Sequence, residues 1–106
     1  MSLEELYTIL NSISGFNGKV AYRCFPTKQT LPFICYLETG TDNVFADNKV
    51  HHVKRAIDIE LYTENKDTAS ETLVETALNN ACLPWNKTED YIDEEQCYQI
   101  IYEVEI

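Results

Sequence analysis

The sequence predicts a single α+β domain, residues 1–106, with a mostly antiparallel sheet of about four to five strands and two helices packed on one face. Three features predict this class: two amphipathic stretches, one long segment of strict alternation, and two C-terminal strand segments joined by an acidic turn. A chain of 106 residues has room for one hydrophobic core and no second domain.

Two segments have the pattern of amphipathic helices. Over residues 2–13 apolar side chains recur at helical spacing, after a capping box formed by Ser2 and Glu5. A second helix is expected to begin at Thr68-x-x-Glu71 and to run to about Ala81. Its buried stripe is expected to comprise Ala69, Leu73, Val74, Ala77, Leu78 and Ala81.

Strands are expected in the segments between and after the helices. Residues 19–25 form a short extended run, and residues 33–37, which are apolar on both faces, are expected at the centre of the sheet. Residues 39–43 have turn composition. The last two strands, 85–92 and 97–106, are expected to pair in antiparallel fashion.

The clearest strand signal is the alternation within residues 50–63, which predicts one long strand. One face is expected to carry Ile57, Ile59 and Leu61, and the other Ala56, Asp58, Glu60 and Tyr62. The face that carries the carboxylates is expected to be solvated.

The charge balance excludes several functions. The net charge is −10, whereas nucleic-acid and membrane-surface binding both draw on clustered Lys and Arg, so neither is expected. No apolar run approaches the roughly 20 residues of a membrane span, and the acidic N-terminus does not resemble a signal peptide. The four cysteines lack metal-ligand spacing, and we expect free thiols on partly buried strands in the cytosol.

The sequence offers little catalytic chemistry. His51 and His52 are neighbours on a predicted strand, so they point to opposite faces and at most one could serve a given site. Asp58 and Glu60 share a face, but position 62 is Tyr62, where metal-dependent nucleases would need a lysine. We therefore expect no enzymatic activity and no cofactor or metal.

Recognition features are more evident. Val44 and Phe45 interrupt an otherwise polar excursion, where exposed apolar side chains favour contact with a partner. Lys49, Lys54 and Arg55 form a basic segment, whereas seven acids and no base follow Lys87. This segregation of charge is typical of surfaces that meet other proteins.

Three segments, 44–50, 57–67 and 91–103, resemble a family of small bacteriophage proteins. The family occurs in prophages of Gram-positive bacteria and belongs to the tail terminator or tail-completion (neck) group. The resemblance implies a ring, expected to be a hexamer, that caps the tail tube and joins it to the head connector. The subunit is expected to pass from the host cytoplasm to the tail–neck junction of the virion. None of the three segments carries a catalytic motif.

In such a ring, one patch of a subunit meets a different patch of its neighbour. The basic and acidic segments are candidates for these two patches, and the excursion around Phe45 is a candidate for insertion into the neighbour or the tail tube. The expected interface residues are Val44, Phe45, Asp47, Lys49, Lys54, Arg55, Asp93, Glu94 and Glu95. Two alternatives stay open: another neck component, such as a head-closure protein, or an acidic, monomeric, inhibitor-like binding module.

Overall fold

A computed structural model describes the backbone of residues 1–41, 44–46 and 49–106, and the side chains of residues 1–41 and 53–106. The elements are α1 (Leu3–Asn11), β1 (Val20–Tyr22), β2 (Phe33–Thr41), β3 (Val44–Ala46), β4 (Lys49–His52), β5 (Arg55–Thr63), α2 (Thr68–Asn80), β6 (Asn86–Ile92) and β7 (Cys97–Glu105). No helix among the described residues is long and apolar enough to cross a membrane.

Five strands form one sheet in the order β1-β2-β5-β7-β6. Every neighbouring pair is antiparallel except β1 and β2, which are parallel. The strands β3 and β4 pair with each other and not with the main sheet. The predicted α+β class with a mostly antiparallel sheet is therefore confirmed.

Both helices pack on the same face of the sheet, because their buried side chains join the same core. Leu10 of α1 and Leu78 of α2 are fully buried, as is Ile59 of the central strand β5. The predicted capping box also forms: the Ser2 hydroxyl accepts from the Glu5 amide at 3.1 Å, and the Glu5 carboxylate accepts from the Ser2 amide at 3.3 Å. The predicted placement of the helices is thus confirmed.

The predicted stripe of α2 is wrong at two positions, because Ala69 and Leu73 are both exposed. Leu73 is 41 % exposed, whereas Glu71, at i−3 from the buried Val74, is 3 % exposed. The spacing 71, 74 and 78 describes the buried face, which includes the predicted Val74 and Leu78 but not Ala69 and Leu73. The N-cap also differs, since the carboxylate of Asp67 accepts from the Ser70 amide.

Three predicted strand boundaries are wrong as well. β1 ends at Tyr22, because Arg23 has a φ of 68° in the left-handed region. β2 continues to Thr41 through the predicted turn, with a register shift between Glu38 and Gly40 that leaves Thr39 without a partner in β5. The predicted strand 50–63 is divided into β4 and β5, and only β5 belongs to the main sheet.

Two substitutions on α2 test this burial pattern. Leu78→Ala removes a fully buried side chain, and we expect it to lower the free energy of unfolding by about 2–5 kcal/mol. Leu73→Ala makes the same chemical change on the exposed side of the helix and should cost roughly 0.5 kcal/mol or less. Urea unfolding of both variants measures the difference, and equal losses would contradict the assigned helix orientation.

Candidate protein-docking surfaces

The structure describes the side chains of only part of the predicted interface. Val44 and Phe45 lie on β3 and Lys49 lies on β4, but their side chains fall outside the described residues. Asp47 is outside the described backbone. The predicted role of these four residues stays a prediction.

The basic and acidic groups that are described lie at opposite ends of the sheet. Arg55 begins β5 beside the last residue of the chain, and Asp93 to Glu95 lie in the turn between β6 and β7. The length of β7 separates these ends by roughly 27 Å at about 3.4 Å per residue. Arg55 also forms an ion pair with Glu38 at 3.5 Å, so part of its charge is balanced within the chain. The two groups do not meet inside one subunit.

The sheet face turned away from the helices is a second candidate surface, which we call the open face. Strand alternation and the register of β2, β5 and β7 define its members. The central part of the open face comprises Phe33, Cys35, Leu37, Asp58, Glu60, Tyr62, Gln99, Ile101 and Glu103. Most of these side chains are half-buried, Cys35 is buried and Glu103 is exposed.

Aromatic stacking and hydrogen bonds hold one end of the open face in place. The rings of Phe33 and Tyr62 stack with centroids 4.8 Å apart, and Phe25 packs edge-on against Phe33. The Tyr62 hydroxyl donates to Glu60 Oε1 at 2.9 Å and accepts from Gln99 Nε2 at 2.9 Å. Burial and the neighbouring Glu60 carboxylate raise the pKa of Tyr62, so this hydroxyl keeps its proton for donation.

The carboxylates of the open face are not fully solvated, contrary to the sequence expectation. Burial, and then the charge of Glu103, raise the pKa of Asp58. Burial also raises the pKa of Glu60, against the opposing hydrogen bond from Tyr62. The neighbouring apolar and aromatic side chains withdraw water from both acids. A partner that supplies hydrogen-bond donors could therefore bind these carboxylates more favourably than bulk solvent does.

The cysteines follow the sequence expectation only in part. Cys35 and Cys97 are buried in strands, whereas Cys24 and Cys82 are exposed and lie outside the strands; all four are free thiols. Burial, with smaller contributions from Glu60 and Cys24, raises the pKa of Cys35 to about 11, which makes its thiol unreactive near neutral pH.

A charge cluster under α2 escaped the sequence reasoning. Lys87 Nζ on β6 lies 3.1 Å from Glu71 Oε1 and 2.8 Å from Glu75 Oε2, and Lys66 Nζ lies 2.7 Å from Glu71 Oε2 as an ion pair rather than a well-directed hydrogen bond. The Tyr102 hydroxyl donates to Glu75 at 2.8 Å. The only available sequence signal was the place of Glu71 on the buried side of the helix.

This cluster fixes α2 to β6 and β7, and every charge in it has a partner within the chain. Burial alone would raise the pKa of Glu75, but hydrogen bonds from Lys87 and Tyr102 outweigh it and hold the pKa below its ordinary value. Hydrogen bonds to Glu75 and Glu71 in turn raise the pKa of Lys87. We therefore assign the cluster a structural role. Among the described residues, no group of three or more His, Cys, Asp or Glu side chains could hold a metal ion.

A groove of about 810 Å³ opens at the end of the sheet where β5 begins. Trp85 and Pro84 form its apolar wall, and Lys54 and Glu103 bring opposite charges to it. The indole of Trp85 is fixed, because its Nε1 donates to Asn79 Oδ1 at 3.0 Å. The predicted interface residue Lys54 lines the same groove as Trp85, and aromatic side chains of this kind are enriched in protein interfaces.

No protein-family model matches this chain, and no curated protein is similar enough to count as a relative.

The raised pKa of Asp58 gives a testable pH dependence. The folded chain binds this proton more tightly than the unfolded chain, so ionisation of Asp58 weakens the fold as the pH rises above the ordinary carboxyl range. We expect Asp58→Asn to raise the urea midpoint near neutral pH, and we expect the gain to disappear as the pH falls below about 4.

The matched control is Asp93→Asn, which removes the same charge from the exposed β6–β7 turn. Its effect on the urea midpoint should be smaller than that of Asp58→Asn at neutral pH. Equal gains in the two variants would show that net charge, rather than burial on the open face, governs the effect.

Proposed function

We propose that the chain is a structural subunit of a bacteriophage neck or tail end. It forms a ring, a hexamer by the resemblance described above, which caps the tail tube and joins it to the head connector. The resemblance of segments 44–50, 57–67 and 91–103 supports this assignment. The subunit acts in the host cytoplasm during assembly and then in the virion, through protein contacts and without a cofactor.

The observation that carries the proposal is the placement of the predicted basic pair and the acidic turn at opposite ends of the sheet, where Glu38, Glu103 and Glu105 share the end of the basic pair. Lys54 and Arg55 lie at one end, and Asp93, Glu94 and Glu95 lie at the other. Groups that cannot meet within one subunit can meet between neighbours, and a contact between two different patches is the kind that closes a ring. The net charge of −10 also suits a channel through which DNA must slide without binding.

One observation favours a second candidate function. The open face brings Asp58, Glu60 and Glu103 onto one side of the sheet, where they could bind a basic protein surface in place of nucleic acid. This candidate is the monomeric, inhibitor-like module. It predicts that the chain is dispensable for the assembly of particles.

Electron microscopy of particles from a lysogen that lacks this gene separates these functions. We expect overlong tails without heads, because tube growth would no longer be stopped. Tails of normal length beside unjoined, filled heads would instead indicate a head-closure component. Intact infectious particles would contradict the proposal and favour the inhibitor-like module.

A charge reversal tests the proposed contact between subunits. In complementation of that lysogen, Lys54→Glu combined with Arg55→Glu should abolish the recovery of joined particles, since like charges across an interface cost several kcal/mol. Adding Asp93→Lys, Glu94→Lys and Glu95→Lys to the same chain should restore it.

The control for this prediction is Lys28→Glu, a charge reversal in the exposed loop before β2. It should leave the yield of joined particles unchanged. Full recovery with the reversed basic pair alone would contradict the pairing of the two ends, and circular dichroism of each variant verifies that it is folded.

A further inference from the structure

We propose that the outer edge of β6 pairs with β6 of a second copy of this chain, in an antiparallel register centred on Thr88, and joins two five-stranded sheets into one. This contact does not rest on the proposed ring, although Trp85 borders both the β6 edge and the groove that contains Lys54. It follows from the position of β6, from its regularity, and from the order of the side chains along it.

β6 has an edge that no other described strand occupies. It lies last in the sheet and pairs only with β7, over seven residues and without a register shift. All its side chains are exposed except that of Ile92, which is half-buried. Proteins commonly protect edge strands by making them short, bulged, charged or interrupted by proline. β6 has only the charges, and because Lys87 and Glu89 have opposite signs they can pair across a two-fold contact. Its unpaired amide and carbonyl groups are suited to the addition of another strand.

The other edge of the sheet offers a poorer template. β1 has only three residues and ends at Arg23, whose positive φ turns the chain away. Its pairing with β2 is parallel, whereas β6 and β7 form a regular antiparallel ladder. Extension of the sheet is therefore favoured at β6.

The side chains of β6 select the register of the pairing. A two-fold axis perpendicular to the sheet places residues of the same face opposite each other, so the axis must pass midway between the two copies of one residue. An axis at Lys87 places two lysines opposite each other, and an axis at Glu89 places two glutamates opposite each other. With the axis at Thr88, Lys87 of each copy faces Glu89 of the other. Only this central register replaces like charges by opposite ones.

The same register aligns aromatic side chains at both ends of the contact. Trp85, just before β6, then lies opposite Tyr91 of the second copy, and the reverse holds at the other end. Tyr91 is 44 % exposed and packs on Tyr98, while Trp85 packs edge-on against Tyr102 with centroids 5.5 Å apart. Aromatic cross-strand pairs stabilise sheets, and here both rings are already held by their own subunit.

The charged side chains are also held in place. Lys87 reaches Glu71 and Glu75, and Glu89 forms an ion pair with Lys66, so all these contacts lie on the helix side of the sheet. The side chains of Lys87 and Glu89 keep 35 % and 44 % exposure, which leaves room for a second partner. The pairing would therefore extend an existing charge cluster across the two-fold axis.

The Glu89→Lys variant tests the pairing, and sedimentation velocity over a wide concentration range measures the self-association of the variant and of the unmodified chain. Glu89→Lys places two lysines opposite each other at both symmetric positions, and we expect it to weaken self-association on the order of tenfold or more. The matched control is Asp90→Lys, which makes the same change one residue away on the opposite face, where its partner would be Asn86. It should leave the association intact.

Cysteine crosslinking tests the register independently. It also reports the β6 contact when the chain is part of a larger assembly. In a Cys24→Ser and Cys82→Ser background, Thr88→Cys should form a disulfide between copies under mild oxidation, because the two β-carbons at the axis lie about 4.5–5.5 Å apart. Asp90→Cys should not, since the two residues lie roughly 13 Å apart along the strands.

Crosslinking of Thr88→Cys but not of Asp90→Cys, together with weakened association in Glu89→Lys alone, would establish the pairing. Equal crosslinking of both cysteine variants would overturn the register. A chain that stays monomeric at every concentration and does not crosslink would overturn self-pairing and leave the edge to a strand of another protein. Circular dichroism of each variant excludes unfolding as the cause of a lost contact.

Discussion

Two short helices cover one face of the sheet, and this coverage determines which side chains of the central strand are buried and which are left uncovered. Ile57, Ile59 and Leu61 of β5 are almost completely buried beneath the helices. Each contributes about 1.5–3 kcal/mol by leaving water, so much of the stability derives from this single face. Asp58 and Glu60 alternate with them and point away from the helices, where no described helix covers the sheet. One strand thus provides both the core and the open face.

The open face is ordered without being covered. Tyr62 connects Glu60 and Gln99 by hydrogen bonds and stacks on Phe33, so these side chains already occupy fixed positions. Docking on such a surface costs less conformational entropy than docking on mobile side chains. The carboxylates have also lost part of their hydration, and a partner with donors would compensate for that loss. These properties favour protein contact over solvation, whichever partner binds there.

Sequence reasoning correctly predicted the structural features that depend on local periodicity. The alternation of Ile57, Ile59 and Leu61 and the spacing of the α1 leucines are properties of single elements, and the structure confirms both. Sequence reasoning failed for Glu71, because a buried carboxylate is tolerated only where lysines from distant segments reach it. Hydrophobicity therefore predicted a buried Leu73, whereas the structure buries Glu71 instead.

The candidate surfaces were less accessible to sequence reasoning, because they depend on register between strands. That Arg55 and Asp93 lie at opposite ends follows from the pairing of β5 with β7, which no single segment specifies. The half-burial of Asp58 likewise depends on its neighbours in β2 and β7. For Val44 and Phe45 the recognition role rests on the sequence alone.

The strong negative charge restricts how copies of this chain can associate. At a net charge of −10 per chain, random approach of two copies is repulsive, so only a contact that places opposite charges together can overcome the repulsion. Both proposed contacts satisfy this condition. The end-to-end contact sets Lys54 and Arg55 against the acidic turn, and the β6 contact sets Lys87 against Glu89. The same charge that opposes aggregation would thus select the few productive contacts, which is a requirement for a subunit that must assemble in one arrangement.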